Sequence, residues 1–375
     1  MHLFDLKTTV TYIISNINKA FAFEWIAESI NKDKFNLQFI LLNSGDSNLE
    51  NYLKKNNFPV KRITYSGKKD IPKAIFIIFK TLLKNKSTVV HTHLFDANIV
   101  GLTAAKLAGV KKRIHTRHHS DYHHQYFSRA VKYDRYVNWI STDIVAISEV
   151  VKQILIEKEK VKKHKIHLIH HGFELAKFSE VRQSEINELK KKYNPSDSRP
   201  KIGVISRYLE LKGIQYIIPA FKNLLIEKPK ALLILANTEG AYTQEIRKLL
   251  TELPTESYIE INFEPNIFAL YKLFDIFIHV PVAAEIEAFG QTYVEALAAE
   301  VPSIFTLSGI ANEFIVDRHN ALVVPYMSSD AILNAIKELL NDKKLASQIV
   351  SNGKIEVDLR FGIDKMILSL ERLYE

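Results

Sequence analysis

"GVISRYLELKGIQYIIPAF", residues 203–221, reads as a β-strand that runs into a loop carrying Arg207 and Lys212 and then into a helix opened by Gly213. A strand, a cationic loop and a glycine-started helix make one βα step, the building block of a parallel sheet. The same alternation runs outward in both directions. Towards the N-terminus, strand candidates fall at Thr9–Ile14, Leu37–Leu42, Val60–Tyr65, Val89–His93, Arg113–Thr116, Ile144–Ile147 and Ile166–Ile169. From the quoted stretch onward they fall at Ile202–Ser206, Leu232–Ala236, Ile259–Asn262, Ile276–Val280, Ser303–Thr306 and Ala321–Val324. The expected fold is α/β, with two Rossmann-like domains facing a cleft and ligands at the carboxyl ends of the strands.

The chain of 375 residues is long for one core, and its 47% hydrophobic content suits full folding. Expected boundaries are an N-terminal domain over 1–180, a linker over 181–200 with a Pro/Ser/Asp turn cluster, a second domain over 201–355, and a helix over 356–375. In that last helix Ile363, Met366, Ile367, Leu370 and Leu373 share one face, which can pack back on either domain. No apolar run is long enough for a membrane span, and the N-terminus, with Asp5 and Glu24, does not resemble a secretory signal. A cytoplasmic protein is expected. The absence of cysteine excludes disulfides, thiolate metal sites and cysteine nucleophiles.

Charge is uneven. Residues 1–180 hold 29 Lys and Arg against 16 Asp and Glu, whereas the remainder holds 22 against 26. A basic half meets something anionic: nucleic acid, an acidic membrane surface or a phosphorylated substrate. Neither half contains GxGxxG, which argues against a nicotinamide dehydrogenase, and the first strand-to-helix loop, "SNINKAF", has no glycine.

Two constellations carry chemistry. Arg207 and Lys212 converge with free backbone N–H groups at a helix start, where the dipole favours anions, and can hold a diphosphate; the same residues also suit a solvated basic loop. In "HVPVAAEIEAFGQTYVEALAAEVPSIFT", residues 279–306, Glu287 lies on a loop and Glu295 in the following helix. Both can face one cleft at opposite ends of an elongated ligand, accepting hydrogen bonds from the hydroxyl pairs of sugars and riboses. Apolar neighbours of Glu295 imply partial burial and a need for partners.

"SRYLELKG" followed by "EAFGQTYVEALAAEVPSI" resembles the paired signature of the retaining glycosyltransferases of glycosyltransferase family 4, with the GT-B fold. "TVVHTHLFDANIVGLTAAKLAGVKKRIHTRHH", "TDIVAISEVVKQIL", "IHLIHHGFELAKF" and "SGIANEFIVDRHNALVVP" extend the likeness in the family's order. The resemblance implies transfer of a sugar from a UDP- or GDP-linked donor to a glycan or lipid-linked acceptor, with retention at the anomeric carbon, in surface polysaccharide or lipopolysaccharide biosynthesis. It implies that Arg207 and Lys212 bind the donor diphosphate, Glu287 the sugar hydroxyls and Glu295 the ribose. It also implies that backbone N–H groups of Phe289, Gly290 and Gln291 lie near the donor, and that His118, or the adjacent His119, faces the donor sugar. No metal or other cofactor is expected, and the leaving phosphate is expected to take the acceptor proton. The sequence departs from the family at "SNINKAF" and at Ala288, where a glycine is usual.

Residues 111–139 hold five histidines among basic and aromatic residues. Irregular spacing and few carboxylates argue against zinc; one or two histidines should line the cleft and the others lie at the surface. The stretch interleaves cations and rings as nucleic-acid binders do, but an acceptor site at an anionic membrane face is the better reading. Tyr122, Tyr126 and Phe127, with residues 73–86 as a second basic amphipathic element, would make that contact, and no nucleic acid is expected as a partner. The alternatives weighed are a nucleotide-sugar 2-epimerase and a non-enzymatic nucleic-acid binder.

Overall fold

A computed structural model describes residues 7–193 and 200–375. The chain forms two compact units, one of residues 1–173 with 363–375, the other of residues 174–362. Asp5 and the turn cluster at 194–199 lie outside the described residues.

In the first unit, seven parallel strands form one sheet: β1 (Thr8–Ser15), β2 (Phe35–Asn43), β3 (Val60–Thr64), β4 (Val89–His93), β5 (Lys112–Arg117), β6 (Asp143–Ala146) and β7 (Ile166–Leu168). Their order is β3-β2-β1-β4-β5-β6-β7, so the direction of winding reverses between β1 and β4. β1 lies between Ile40 on one side and Thr92 on the other at the level of Ile13. Both faces are covered, which is why these strands read as unbroken apolar runs. The helix Ile71–Lys84 has a proline in its first turn, buries Ala74, Ile78 and Leu82, and packs on the helix Phe95–Leu107. Ser148 accepts a hydrogen bond from Val151 N at 3.3 Å and so caps the helix Glu149–Glu157.

The second unit holds β8 (Lys201–Ile205), β9 (Leu232–Ala236), β10 (Tyr258–Ile261), β11 (Ile276–His279), β12 (Ser303–Phe305) and β13 (Leu322–Val323), in the order β10-β9-β8-β11-β12-β13. All pairings are parallel, and the reversal falls between β8 and β11. Both units are therefore Rossmann-like α/β layers, and every strand expected from sequence is present.

The boundaries differ from those expected. The second unit begins at Glu174 rather than beyond a linker over 181–200. The helix Gln183–Tyr193 buries Leu189 and packs on the helix Ile267–Tyr271, with the Tyr193 hydroxyl donating to Glu264 at 2.7 Å. At the other end, Lys343–Phe361 is one continuous helix of the second unit, because Phe361 is buried against Phe289 and Phe314. The chain turns at Gly362, and only the helix Ile363–Tyr374 packs on the first unit, against the helix Phe21–Ser29. The Tyr374 hydroxyl is bonded to that of Tyr12 and to His91 Nδ1 at 2.7 Å.

Candidate active site

The loop after β8 and the loop after β11 meet at the carboxyl edge of the second sheet, on either side of its switch point, where α/β sheets bind ligands. Val282 N donates to Leu211 O at 3.1 Å, joining the two loops directly. Gly213 makes the approach possible: its φ is +75°, and a Cβ there would lie 2.0 Å from Val280 O. Only glycine accepts both the left-handed conformation and the contact.

The approach delivers Lys212 to Glu287. Lys212 Nζ donates to Glu287 Oε1 at 2.5 Å, and His279 Nε2 lies 3.0 Å from the same oxygen. Ser308 Oγ accepts from Glu287 N at 3.0 Å. Glu287 is buried, which by itself pushes its carboxyl up, but the Lys212 charge and the hydrogen bonds from His279 and Lys212 hold it well below the usual carboxylate range. His279 is pushed down by burial, against the pull of Glu287. The group is thus a permanent carboxylate beside a neutral imidazole. Both donors use Oε1, and Glu287 Oε2 receives no hydrogen bond among the described residues. It is an acceptor left over for hydroxyls, not a proton donor.

The loop that carries Glu287 is braced along its length. Thr306 Oγ1 donates to Pro281 O at 2.6 Å, Gly309 N to Ala284 O at 3.0 Å, and Ile310 N to Phe289 O at 2.9 Å. Gly290, at φ +88°, turns the chain into the helix Gln291–Ala298, and a Cβ on it would strike the Tyr293 ring at 2.6 Å. Phe289 is buried, Gln291 exposed, and the first N–H groups of the helix open from this turn. Ala288 does not have a positive φ, so no glycine is needed there and the departure from the family costs no backbone strain.

Glu295 follows on this helix, half-buried, with the Tyr271 hydroxyl donating to its Oε2 at 2.8 Å. Burial raises its carboxyl to about 7, and the Tyr271 bond only partly offsets that. Arg207, at the end of β8, is exposed, and its guanidinium has no partner among the described residues. Of the residues singled out from sequence, Lys212 and Glu287 are in contact; Arg207 shares the loop of Lys212, and Glu295 the helix started by Gly290. His279, Ser308 and Tyr271 escaped the sequence reading. The signal for His279 was a polar residue closing the apolar strand "IFIH".

In the first unit the doubled histidine separates. His118 Nε2 lies 3.1 Å from His93 Nδ1, and its ring stacks on His171 at 5.6 Å. Burial pushes His118 well down, so it is neutral. His119 instead turns to Asp134, at 3.4 Å, where His123 Nδ1 also lies 2.7 Å from the carboxylate. The expectation that the remaining histidines are surface residues is corrected: His115 is fully buried with Ser141 at 2.9 Å, and His124 reaches Glu159 at 3.3 Å. His119, His123 and Asp134 place three ligand atoms within 4.8 Å of one another, closer to a metal set than their spacing suggested. Arg117, 3.4 Å from Asp134, already supplies positive charge there. In "SNINKAF" Asn16 takes φ +52° where a glycine is absent, and Asn43, at the end of β2, braces the loop by accepting from Ile17 N at 3.1 Å and donating to Ile17 O at 2.7 Å.

Both units resemble known proteins. Residues 27–177 match the model for Glycosyltransferase Family 4, and residues 185–356 that for Glycosyl transferases group 1. The chain is 28% identical over 322 residues to a capsular polysaccharide biosynthesis glycosyltransferase, CapM, of Staphylococcus aureus, covering 82% of this chain and 83% of that one. It is 30% identical over 249 residues to the alpha-monoglucosyldiacylglycerol synthase of Streptococcus pneumoniae, covering 61% and 54%. Among solved structures, Anabaena Alr3699/HepE in complex with UDP-glucose superposes with a TM-score of 0.83 at 19% identity, over 97% of this chain and 99% of that one. A Rickettsia africae glycosyltransferase gives 0.80 at 20%, over 98% of both. With a family model matched in each unit, the chain belongs to the GT-B glycosyltransferases of glycosyltransferase family 4.

Proposed function

We propose that this glycosyltransferase moves a sugar from a nucleotide-diphosphate donor, UDP- or GDP-linked, to a glycan or lipid-linked acceptor, with retention at the anomeric carbon. The observation that carries the reading is the Lys212–Glu287 contact, with Arg207 on the loop of Lys212 and Glu295 on the helix that follows Glu287. Breaking the bond between the anomeric carbon and the diphosphate oxygen gathers negative charge on the diphosphate. Arg207, Lys212 and the N–H groups of Phe289, Gly290 and Gln291 suit that charge, and being fixed in advance they need no reorganisation as it develops. Glu287 Oε2 takes sugar hydroxyls and Glu295 the ribose, and His118 is the histidine assigned a part in transfer. The leaving phosphate takes the acceptor proton on the same face of the sugar, and with Arg207 and Lys212 meeting the diphosphate charge the reaction is expected to continue in a chelator.

The relatives support a role in surface polysaccharide or glycolipid synthesis, and the excess cation of residues 1–180 supports work at the cytoplasmic face of an anionic membrane, through residues 73–86 and 111–139. No helix among the described residues is long and apolar enough to cross a membrane. A thermal-shift panel with UDP, GDP, ADP and their sugars tests the donor, because a ligand bound only by the folded state raises the melting temperature. A shift with one diphosphate and its sugar is expected; no shift with any would sink the reading. The anomeric configuration of the product, read by NMR, decides retention.

A further inference from the structure

The turn after β5 and the helix that follows it build a polar cluster that the proposed transfer does not use. His119 sits just past the strand, His123 on the short helix Tyr122–Tyr126, and Asp134 on the helix Val131–Ile140. Their ligand atoms lie within 4.8 Å of one another. His123 Nδ1 is 2.7 Å from Asp134 Oδ2, and His119 Nε2 is 3.4 Å from Oδ1. The second distance is longer than the ~2.7–3.2 Å of a good hydrogen bond. It falls instead in the roughly 3.3–3.6 Å that separates two ligands held at ~2.0–2.2 Å from one tetrahedral ion. The two imidazoles crowd each other, their ring centres 3.9 Å apart, and His119 Nδ1 is buried with no hydrogen-bond partner.

Charge and protonation suit a cation. Burial pushes the Asp134 carboxyl up, but hydrogen bonds from His119 and His123 and the Arg117 charge hold it well below the usual carboxylate range, while burial pushes His119 down. A carboxylate beside a neutral imidazole is the form that takes a metal. Arg117, 3.4 Å from Asp134, does not cancel the charge: it also pairs with Glu159, so two buried carboxylates face one guanidinium. The ligands are held in place beforehand. Arg117 Nε donates to His119 O at 3.2 Å, and Asp121, between the histidines, accepts from Lys158 at 2.6 Å and from Gln125 at 3.0 Å. The side chains of His119 and His123 are 25% and 13% exposed, which leaves an ion a way in.

We propose that His119, His123 and Asp134 bind one zinc ion, which clamps the turn after β5 to the helix Val131–Ile140. Two nitrogens and one oxygen select the occupant. Calcium and magnesium prefer all-oxygen sets, and the chain has no cysteine for thiolate-seeking metals, whereas imidazole with carboxylate suits zinc, with water in the remaining position. The ion takes the place of the ring protons directed at Asp134, which move to the opposite nitrogen of each ring, so a neutral ring stays neutral. With one position left to water the clamp is reversible, and transfer does not depend on it. Zinc binding is independent of the donor reading.

The test is calorimetric titration of the full chain, first stripped with a chelator and then freed of it, with Zn²⁺ and with Mg²⁺ and Ca²⁺ as controls. One zinc per chain is expected, with no saturable heat from the other two. Co²⁺ in its place is expected to show the visible absorption of a four- or five-coordinate ion with nitrogen and oxygen ligands. His123→Phe, which keeps a ring against Phe95, and His119→Asn are each expected to weaken zinc by roughly a hundredfold or more, beyond the cost of disturbing a partner that only orients a ligand. His164→Ala, at an exposed histidine, is expected to leave the affinity unchanged. Cooperative melts of the metal-free variants show that they are folded. Zinc at a hundredfold above its Kd is expected to raise the melting temperature of the unsubstituted chain by about 5–10 °C and to slow amide hydrogen exchange over residues 119–130. No saturable zinc binding, an affinity unchanged in both His123→Phe and His119→Asn, or unchanged exchange would overturn the proposal. Zinc binding as stated without stabilisation by any nucleotide would sink the donor reading alone.

Discussion

Lys212 Nζ lies 2.5 Å from Glu287 Oε1, so the cation expected to meet a diphosphate is already paired with the carboxylate expected to meet a sugar. The pair orients both groups before any ligand is present. In the proposed reaction it also links binding at one end of the donor to charge at the other.

Removal of the carboxylate should therefore be felt twice. Glu287→Ala leaves Lys212 and His279 without their shared acceptor and is expected to cost about 2–4 kcal/mol of stability. Transfer is expected to fall by roughly two to three orders of magnitude. The stability loss should depend on pH in one direction only. The folded carboxyl is held below its unfolded value of about 4.3, so its contribution is complete above that pH and fades as pH falls towards the folded value. Denaturant melts of wild type and variant between pH 7 and 3 check this; a gap that stays constant at acid pH contradicts it.

Glu295 should behave oppositely. Its carboxyl is raised to about 7, so it costs the folded state stability as pH rises from about 4.3 to about 7, and Glu295→Gln is expected to be more stable than wild type at pH 8. Ribose hydroxyls donating to it favour the ionised form. UDP or GDP binding should then tighten from pH 6 to 8 and release a proton, which titration in buffers of different ionisation enthalpy detects. A pH-independent affinity removes Glu295 from the ribose end.

The doubled histidine gives a paired test. His118→Ala is expected to slow transfer by roughly a hundredfold with little loss of stability, since among the described residues its one hydrogen-bond partner is another neutral imidazole, His93. His119→Ala is expected to cost about 1 kcal/mol, because it strips one partner from buried Asp134, and to leave transfer nearly intact. Steady-state rates and melts of both variants decide which histidine serves the reaction.

Most of this architecture was legible because parallel strands covered on both faces read as apolar runs, "LLILA" in β9 being one. Lys212 and Glu287 were legible as a pair in chain order, although their contact was not, since it depends on the close approach of Gly213 to Val280. His279 and Ser308 act on Glu287 from different loops, and no local spacing announces that. The Asp134 cluster was missed for the same reason: the turn at 118–130 folds His119 and His123 back on a helix that follows them. The domain boundary was misread at Gln183–Tyr193, where a polar helix is tied down by Leu189 and a few polar bonds to Glu264 rather than by an apolar stripe.

Gly213 itself offers a sharp mutational contrast. Gly213→Ala puts a Cβ 2.0 Å from Val280 O in a backbone conformation that disfavours any side chain, and is expected to destabilise the second unit by about 2 kcal/mol or more. Because the same approach carries Lys212 to Glu287, nucleotide-diphosphate binding should weaken as well. Gly362→Ala, with no heavy atom within 4 Å of the added Cβ and no positive φ, is the control and should be nearly neutral. Melting curves with and without UDP on both variants measure this. Equal behaviour of the two would mean that the Gly213 turn does not set the donor edge.

Acid sensitivity of the first unit is the broadest expectation. His91 is pushed down to about 3 and His171 to about 4 by burial, and His93, His115 and His118 are pushed well down by the same cause. Each must give up its proton to fold, so each contributes stability that is complete above its unfolded value of about 6.5 and is lost as pH falls below it. Each group costs up to about 1.4 kcal/mol per pH unit between those values. Several titrating together should unfold the protein steeply between about pH 6 and 4, well before the depressed carboxylates protonate. His91→Asn, which keeps a polar group beside Tyr374 and cannot ionise, is expected to make that slope shallower by about one proton. An unchanged slope would mean that His91 is not among the groups whose protonation drives the transition.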